Sequence, residues 1–317
     1  MKPIVLANTK DLSREEWLAL RRQGIGGSDA SAILGLNPFS SAIDVYADKL
    51  GLKTPVEENE AMWLGTQLEP IVAKRFEAES GMAVQKRNRL FQHPEYPWMI
   101  ANIDRWVVGQ QAGVEIKTTN VFNRSRFAEG EIPPQFYIQC LHYLAVTGAS
   151  DWYLVVLVLG RSLHIYHVQR NEAEIEALIE AERRFWENHV QKRIPPDPDG
   201  SESAGELLKT LFPKERGDGV LVPLFGQEEK LQQIIKLDDQ IKDLEKESDA
   251  LKQSIQLEIG EADGGVAQGF RVFWKSQERT SIDTKRLQKE QPTLFTQYAR
   301  TTSFRKFEIK KEEMNDG

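Results

Sequence analysis

Residues 151–160, DWYLVVLVLG, form a nearly unbroken apolar run, the composition of a strand inside a buried sheet. One helix-length upstream, GVEIKTTN (113–120) alternates instead. Residues i and i+2 of a strand share a face, so Val114 and Ile116 point one way and Glu115 and Lys117 the other. The sheet must therefore bury a carboxylate and an ammonium side by side, which is costly unless they are paired or bind a metal. A third member lies one short turn back, in ANIDRW (101–106). An antiparallel hairpin would set Asp104 beside Glu115. Two carboxylates and a lysine then converge, a donor set suited to hard Mg²⁺ or Mn²⁺. The same three residues also fit a cross-strand salt bridge at a sheet end.

The remaining pattern supplies the frame. Ser13 and Glu16 have the spacing of a capping box opening a helix over SREEWLALRRQ. GIGGSDASAILG is a glycine-rich turn, and SAIDVYADKLG a second helix. In NEAMWLGTQLEPIVAKRFEAESG, Leu64, Leu68, Ile71, Val72 and Phe76 share a helical face that closes at Gly81. MAVQKRNRLFQ, MIANIDRWVV and GVEIKTT read as three strands, IPPQFYIQCLHYLAVTG as a helix, and DWYLVVLVLG with SLHIYHVQ as a hairpin. A long amphipathic helix, EAEIEALIEAERRFWENHV, completes the order α–β–β–β–α–β–β–α. This predicts an α/β (α+β) domain over 1–194, a mixed central sheet flanked by helices.

Residues 195–226 read as a linker, beginning with PPDPDGSESAG. Over 227–263 a heptad places Ile234, Ile241, Ser248 and Ile255 on one seam with Leu237, Leu244 and Leu251, a coiled coil or helical arm. Residues 264–317 read as a small basic α+β subdomain: a hairpin over QGFRVFWKSQERTSID, a helix over TKRLQKEQPTLFTQYAR and a last strand, SFRKFEIKK. Charge divides sharply in this part: 202–263 hold 8 basic and 15 acidic residues, 269–311 hold 11 and 4.

The net charge of −7 excludes a uniformly basic nucleic-acid protein, though not a local basic patch. One cysteine, Cys140, excludes a disulfide framework and a cysteine zinc site, and its apolar surroundings predict a buried thiol. The first residues lack a signal-peptide core, and no apolar stretch is long enough to span a bilayer. The expectation is a soluble chain in a reducing cytoplasm, with no membrane partner.

Other residues carry recognition chemistry. In RRQGIGGSDAS, Gly24, Gly26 and Gly27 let the backbone approach a phosphate, Ser28 offers a hydroxyl and Arg22 a guanidinium fork, with Arg21 its rival. Gln139 and Tyr143 lie four apart on one helix face, with Gln135 a turn earlier. Trp63, Trp98 and Trp106 could stack on bases, but core packing is the expectation for each. His164 and His167 should point to opposite faces of a strand, which argues against a shared ligand role.

Aspartate on one strand and E-x-K on the next is the pattern of the PD-(D/E)XK nuclease superfamily. The chain resembles one branch of it, the YqaJ-like viral recombinases, relatives of lambda-type exonuclease. RRQGIGGSDASAILGLNPF, WLGTQLEPIVAKRFE, NIDRWV, GVEIKTT and PPQFYIQCLHYLAVTG stand in that family's order. The resemblance covers about residues 10–195, and the superfamily's usual proline before the aspartate is Ile103 here.

The resemblance implies a restriction-endonuclease-like fold and a Mg²⁺-dependent exonuclease, with Mn²⁺ able to substitute. Such an enzyme resects one strand of duplex DNA, usually 5′ to 3′, and hands the overhang to a single-strand annealing protein in a bacterial or phage-infected cell. Carried over, Asp104, Glu115, the Ile116 carbonyl and Glu69 would hold the metal. Lys117 would position the attacking water, and Gln139 would contact the substrate. Arg22 and Ser28, with Gly27, would recognise a terminal 5′-phosphate, with Gln135 and Tyr143 on the DNA side. Relatives form toroidal trimers around DNA, so a homo-oligomer is implied as well. The rival readings are a structure-specific or restriction-like endonuclease of the same fold, and a non-catalytic DNA-end-binding scaffold.

Overall fold

In the computed structural model, which describes residues 2–53, 59–122, 127 and 130–310, the chain divides into two units, Met1–Leu211 and Phe212–Gly317. The first unit opens with strand β1 (Ile4–Asn8), then α1 (Arg14–Arg21), α2 (Gly27–Ile33), α3 (Ala42–Lys49) and the long α4 (Glu60–Ser80). Five strands follow: β2 (Val84–Lys86), β3 (Arg89–Gln92), β4 (Ile100–Asn102), β5 (Arg105–Val107) and β6 (Ala112–Thr119). After α5 (Pro134–Thr147) come β7 (Asp151–Val158), β8 (Ser162–Gln169) and α6 (Glu172–Phe185), which continues as a π-helical segment, Trp186–Gln191. Helix α7 (Glu202–Leu211) ends the unit.

The expected mixed sheet has the order β2-β5-β6-β7-β8. β6 and β7 run parallel, as a strand–helix–strand crossover through α5 requires, and the other pairs are antiparallel. Two expected strands are each broken between sheets. Residues 82–92 divide into β2 and β3, and 99–108 into β4 and β5, because β1, β3 and β4 form a separate three-stranded antiparallel sheet. The sequence pattern does not predict β1, a short strand with Ile4 and Val5 half-exposed. The break between β4 and β5 falls at Ile103 and Asp104, which leaves Asp104 outside either ladder.

Helices cover both faces of the five-stranded sheet. On one, Val72, Ala73 and Phe76 of α4 pack against Val107, Val114, Ile116 and Val155. Ile71, expected on that face, is exposed, so the helix phase is rotated by about one residue. On the other face α5 lies over Trp152, Leu154 and Val156, and α6 packs against α5 and α2. Cys140 is fully buried there, as expected. A buried His142–Glu182 pair at 2.8 Å ties α5 to α6, and His142 Nε2 bonds the Ile100 carbonyl at 2.9 Å. Among the described residues no helix is long and apolar enough to cross a membrane.

At Gly113 a buried ring lies directly against the sheet backbone. A Cβ there would meet three ring carbons of the fully buried Trp152 at 2.3–2.5 Å. Overpacking of this kind costs about 1–3 kcal/mol. Gly113→Ala should therefore lower the urea midpoint of unfolding, with its slope unchanged.

The linker expected over 195–226 is corrected in its middle. α7 buries Ala204 and Leu207 against the core and contacts α3, an apolar spacing that serine and glycine around it disguise.

The second unit contains α8 (Glu228–Ile259), a β9 (Gly264–Ala267)–β10 (Phe270–Phe273) hairpin, α9 (Thr284–Glu290) and α10 (Pro292–Tyr298). α8 is one continuous helix, not a helical hairpin, and the seam residues Leu237, Ile241, Leu244, Leu251 and Ile255 are exposed. The single helix expected over 284–300 is divided at Gln291, because a residue before proline avoids helical backbone. The last strand expected over 303–311 is absent through Lys310, and Lys311 lies outside the described residues.

Candidate active site

β5 and β6 pair in the register Arg105↔Val114, which carries Asp104 to the position beside Glu115. Asp104 Oδ2 accepts the Ile116 amide at 2.8 Å, so the aspartate caps a gap in the ladder. Glu115, 3% exposed, is held from two sides. Lys117 Nζ lies 2.7 Å from its Oε1, and Gln139 Nε2 of α5 donates to the same oxygen at 2.7 Å. Oε2 is buried with no hydrogen-bond partner among the described residues. The face that alternation assigned to Glu115 and Lys117 is thus the α5 face, with Val114 and Ile116 against α4.

This arrangement has distinct electrostatics. Burial, and then the Glu115 carboxylate, push the Asp104 carboxyl well above its usual range, against the Lys117 ammonium and the Ile116 amide. For Lys117, burial opposes the charge, but Glu115 and Asp104 outweigh it and raise the pKa. Two crowded carboxylates, one with an orphaned buried oxygen, form a site short of positive charge. A divalent cation supplies that charge, so the donor set fits one.

Glu69 departs from expectation. It is near enough for its charge to help raise the Asp104 carboxyl, but its carboxylate is paired with the Arg105 guanidinium, with Lys86 at 3.8 Å. Among the described residues no three His, Cys, Asp or Glu side chains gather into a metal-binding group. The carboxylates available are therefore Asp104 and Glu115.

The recognition residues meet the pair in one cavity of about 230 Å³, lined by Arg21, Gly27, Ser28, Asn102, Asp104, Lys117, Gln139 and Tyr143 among others. Gln139 Nε2 also donates to Tyr143 Oη at 2.9 Å, as their four-residue spacing predicts. Gly27 is required by packing, since a Cβ would meet the Tyr143 ring at 2.8 Å and Gln139 Cγ at 3.0 Å. Gln135, one turn back, is half-buried and outside the lining.

Arg21, not Arg22, reaches Ser28. Arg21 Nη2 donates to Ser28 Oγ at 2.7 Å and to Asp29 Oδ1 at 3.0 Å. Arg22 lines a neighbouring cavity with Asp44 and Asp48. The helical phase carries this distinction: Trp17 and Arg21 are four apart, their side chains stack at 5.4 Å, and both line the central cavity.

Behind Arg21 stands a group that the sequence pattern did not reveal. Lys49, its side chain fully buried, reaches Asp29 Oδ2 at 2.6 Å, and the same oxygen accepts the Gly26 amide at 2.9 Å. Burial opposes the charge on Asp29, yet Lys49 and Arg21 outweigh it and hold the carboxyl far below the usual range. Asp29 three residues after Gly26, opening a helix, was the available signal. Of the three tryptophans, Trp98 is buried, Trp106 half-buried and Trp63 exposed, so Trp63 departs from the expected core position.

A family sequence model described as the YqaJ-like viral recombinase domain matches residues 16–150. The Bacillus subtilis (strain 168) protein YqaJ is 36% identical over 310 residues, 96% of this chain and 97% of that one. Among solved structures, an alkaline exonuclease (LHK-Exo) from Laribacter hongkongensis is similar with a TM-score of 0.49 and 22% identity, over 57% of this chain and 94% of its own. A phage related exonuclease from Haemophilus somnus 129PT gives 0.42 and 14%, over 56% and 99%.

Proposed function

Because the chain belongs to the YqaJ-like viral recombinase family, we propose that it is a Mg²⁺-dependent exonuclease that resects one strand of duplex DNA from an end, 5′ to 3′, for recombination with a single-strand annealing protein. The observation that carries this reading is that Asp104, Lys117, Gln139, Arg21 and Ser28 share one cavity, with Glu115 immediately behind it. Paired carboxylates alone fit many roles. Set beside an arginine–serine anion site they fit a phosphodiester whose end is read while a bond nearby is cut.

Asp104, Glu115 and the Ile116 carbonyl would hold the ion, and the orphaned Glu115 oxygen is the reason for assigning it there. When bound, Mg²⁺ supplies positive charge to the scissile phosphate and a more acidic water. Lys117, its ammonium favoured by both carboxylates, orients the attacking water and faces the charge that develops on phosphate oxygens. Gln139 fixes the Glu115 carboxylate by its amide N–H, and Tyr143 holds Gln139 in turn. Glu69 takes a supporting part through Arg105. Arg21 and Ser28 bind the terminal 5′-phosphate, which sets the polarity. The exposed α8 seam and the basic segment beyond it are the parts available for self-association, as in a trimeric ring, or for the annealing partner.

The test is digestion of labelled duplex. Linear DNA should be degraded with Mg²⁺ and not in EDTA, ends lacking a 5′-phosphate should be consumed more slowly, and a closed circle should stay intact. Cleavage of the circle would make the chain an endonuclease, and undiminished activity in EDTA would remove the metal.

A further inference from the structure

A second and larger cavity, of about 810 Å³, lies in the same unit and takes no part in the chemistry above. Its wall includes Lys2, Arg87, Arg89, Phe91, Trp106 and Gln111 and, among the described residues, no carboxylate. The chain as a whole carries a net charge of −7, so three cations around one acid-free cavity stand out. Lys2, Arg87 and Arg89 form no ion pair among the described residues.

The fold explains how the wall is assembled. Arg89 and Phe91 are two apart on β3 and share a face. Leu90 takes the other face and lines the central cavity, so β3 is the partition between the two cavities. Trp106 on β5 is two residues beyond Asp104, one strand repeat from the carboxylate pair. Its ring packs edge-on against the buried Trp152 at 6.3 Å and is only half-buried, so it joins the edge of the core to the cavity wall.

Cations that meet phosphate oxygens, alternating with aromatic rings that meet bases, are what a single strand requires of its binding groove. A duplex keeps its bases stacked and offers such rings nothing. We propose that this cavity binds single-stranded DNA, with a base against Trp106 and phosphates on Lys2, Arg87 and Arg89. That the strand is DNA, a product of resection, rests on the exonuclease reading. The chemistry of the cavity does not. The site holds unpaired strand one partition away from where pairing is lost, and so keeps the enzyme on its substrate between cuts.

The experiment uses the full chain in EDTA and a short circular oligothymidylate carrying a fluorophore, which has no 5′-phosphate for Arg21 and Ser28. Wild type should bind it, and the double variant Arg87→Ala/Arg89→Ala should bind roughly tenfold more weakly, with a salt slope shallower by about 0.7 per lost phosphate contact. Irradiation of a bromouracil-substituted circle should place an adduct on the tryptic peptide 106–117, which begins at Trp106. No binding by wild type, equal affinity and slope in the double variant, or adducts confined to residues 264–317 would each overturn the proposal. The two readings fail separately. Binding that depends on Arg87 and Arg89 in a chain that digests no duplex overturns the nuclease alone, and digestion with variant-independent binding overturns this site alone.

Discussion

Replacing Lys117 with alanine should slow strand cleavage by about two to four orders of magnitude, the usual effect of removing a positioned proton-transfer or charge-stabilising group. Binding of duplex ends, measured without Mg²⁺, should change little, because Arg21 and Ser28 are untouched. The same substitution separates the metal site from the plain salt bridge that GVEIKTTN also permits. In a salt bridge Lys117 matters only as the partner of Glu115, and its loss would appear as reduced stability with cleavage intact. The geometry points the other way. Glu115 Oε1 keeps its 2.7 Å bond from Gln139 when Lys117 is gone, so the carboxylate is not left unpartnered. Lys117 is 29% exposed at the cavity wall while Glu115 lies behind it, the placement of a side chain that meets substrate. Single-turnover digestion beside a thermal melt decides between the two. A variant with activity within a few-fold of wild type and a depressed melting temperature would return the strand to the structural role.

The residues of this site differ in how far sequence could reach them, and the difference has a physical basis. Glu115 and Lys117 were legible because a period-two alternation inside a buried sheet forces charges to a face where they must be compensated. Asp104 followed from the shortness of one connection, and the Gln139–Tyr143 pair from helical spacing. All are consequences of local geometry. The Glu69–Arg105 ion pair was not legible, because its two residues come from different elements and the packing of α4 on β5 brings them together. Resemblance to the family's arginine–serine pair points to Arg22 with Arg21 as its rival, whereas the phase of α1, shared with Trp17, sets Arg21 against Ser28. The division of residues 82–92 and 99–108 between two sheets left no local mark, because both halves of each segment have strand composition. The α8 heptad was legible as a helix, but what meets its exposed seam is a property of the assembly and not of the chain.

The largest stability effect should come from Asp29, which stands behind the reacting groups rather than among them. Asp29→Ala would leave the fully buried Lys49 ammonium, among the described residues, with only the Arg21 carbonyl at 3.2 Å and the Asp48 carboxylate at 3.6 Å. Breaking one side of a buried pair costs about 3–5 kcal/mol, because the surviving charge stays desolvated. Adding Lys49→Met to Asp29→Ala should recover much of that loss, since an apolar side chain of similar length has no charge to strand. The pH dependence follows from the direction of the Asp29 shift. Its folded-state pKa is far below the ordinary 3.8, so the stabilisation is fully present above that value and lost as pH falls through the folded-state pKa. Urea unfolding should therefore show the full gap between wild type and Asp29→Ala at neutral pH, and a narrowing gap as pH drops below about 3.8. A gap that stays constant into acid would mean that the carboxylate is not what holds Lys49. The same variant also releases Arg21, whose guanidinium is fixed by Asp29 Oδ1 on one side and Ser28 Oγ on the other. At a temperature where the variant is still folded, it should lose discrimination between phosphorylated and unphosphorylated 5′ ends more than it loses maximal rate, because the anion site is disordered while Asp104, Glu115 and Lys117 stay in place.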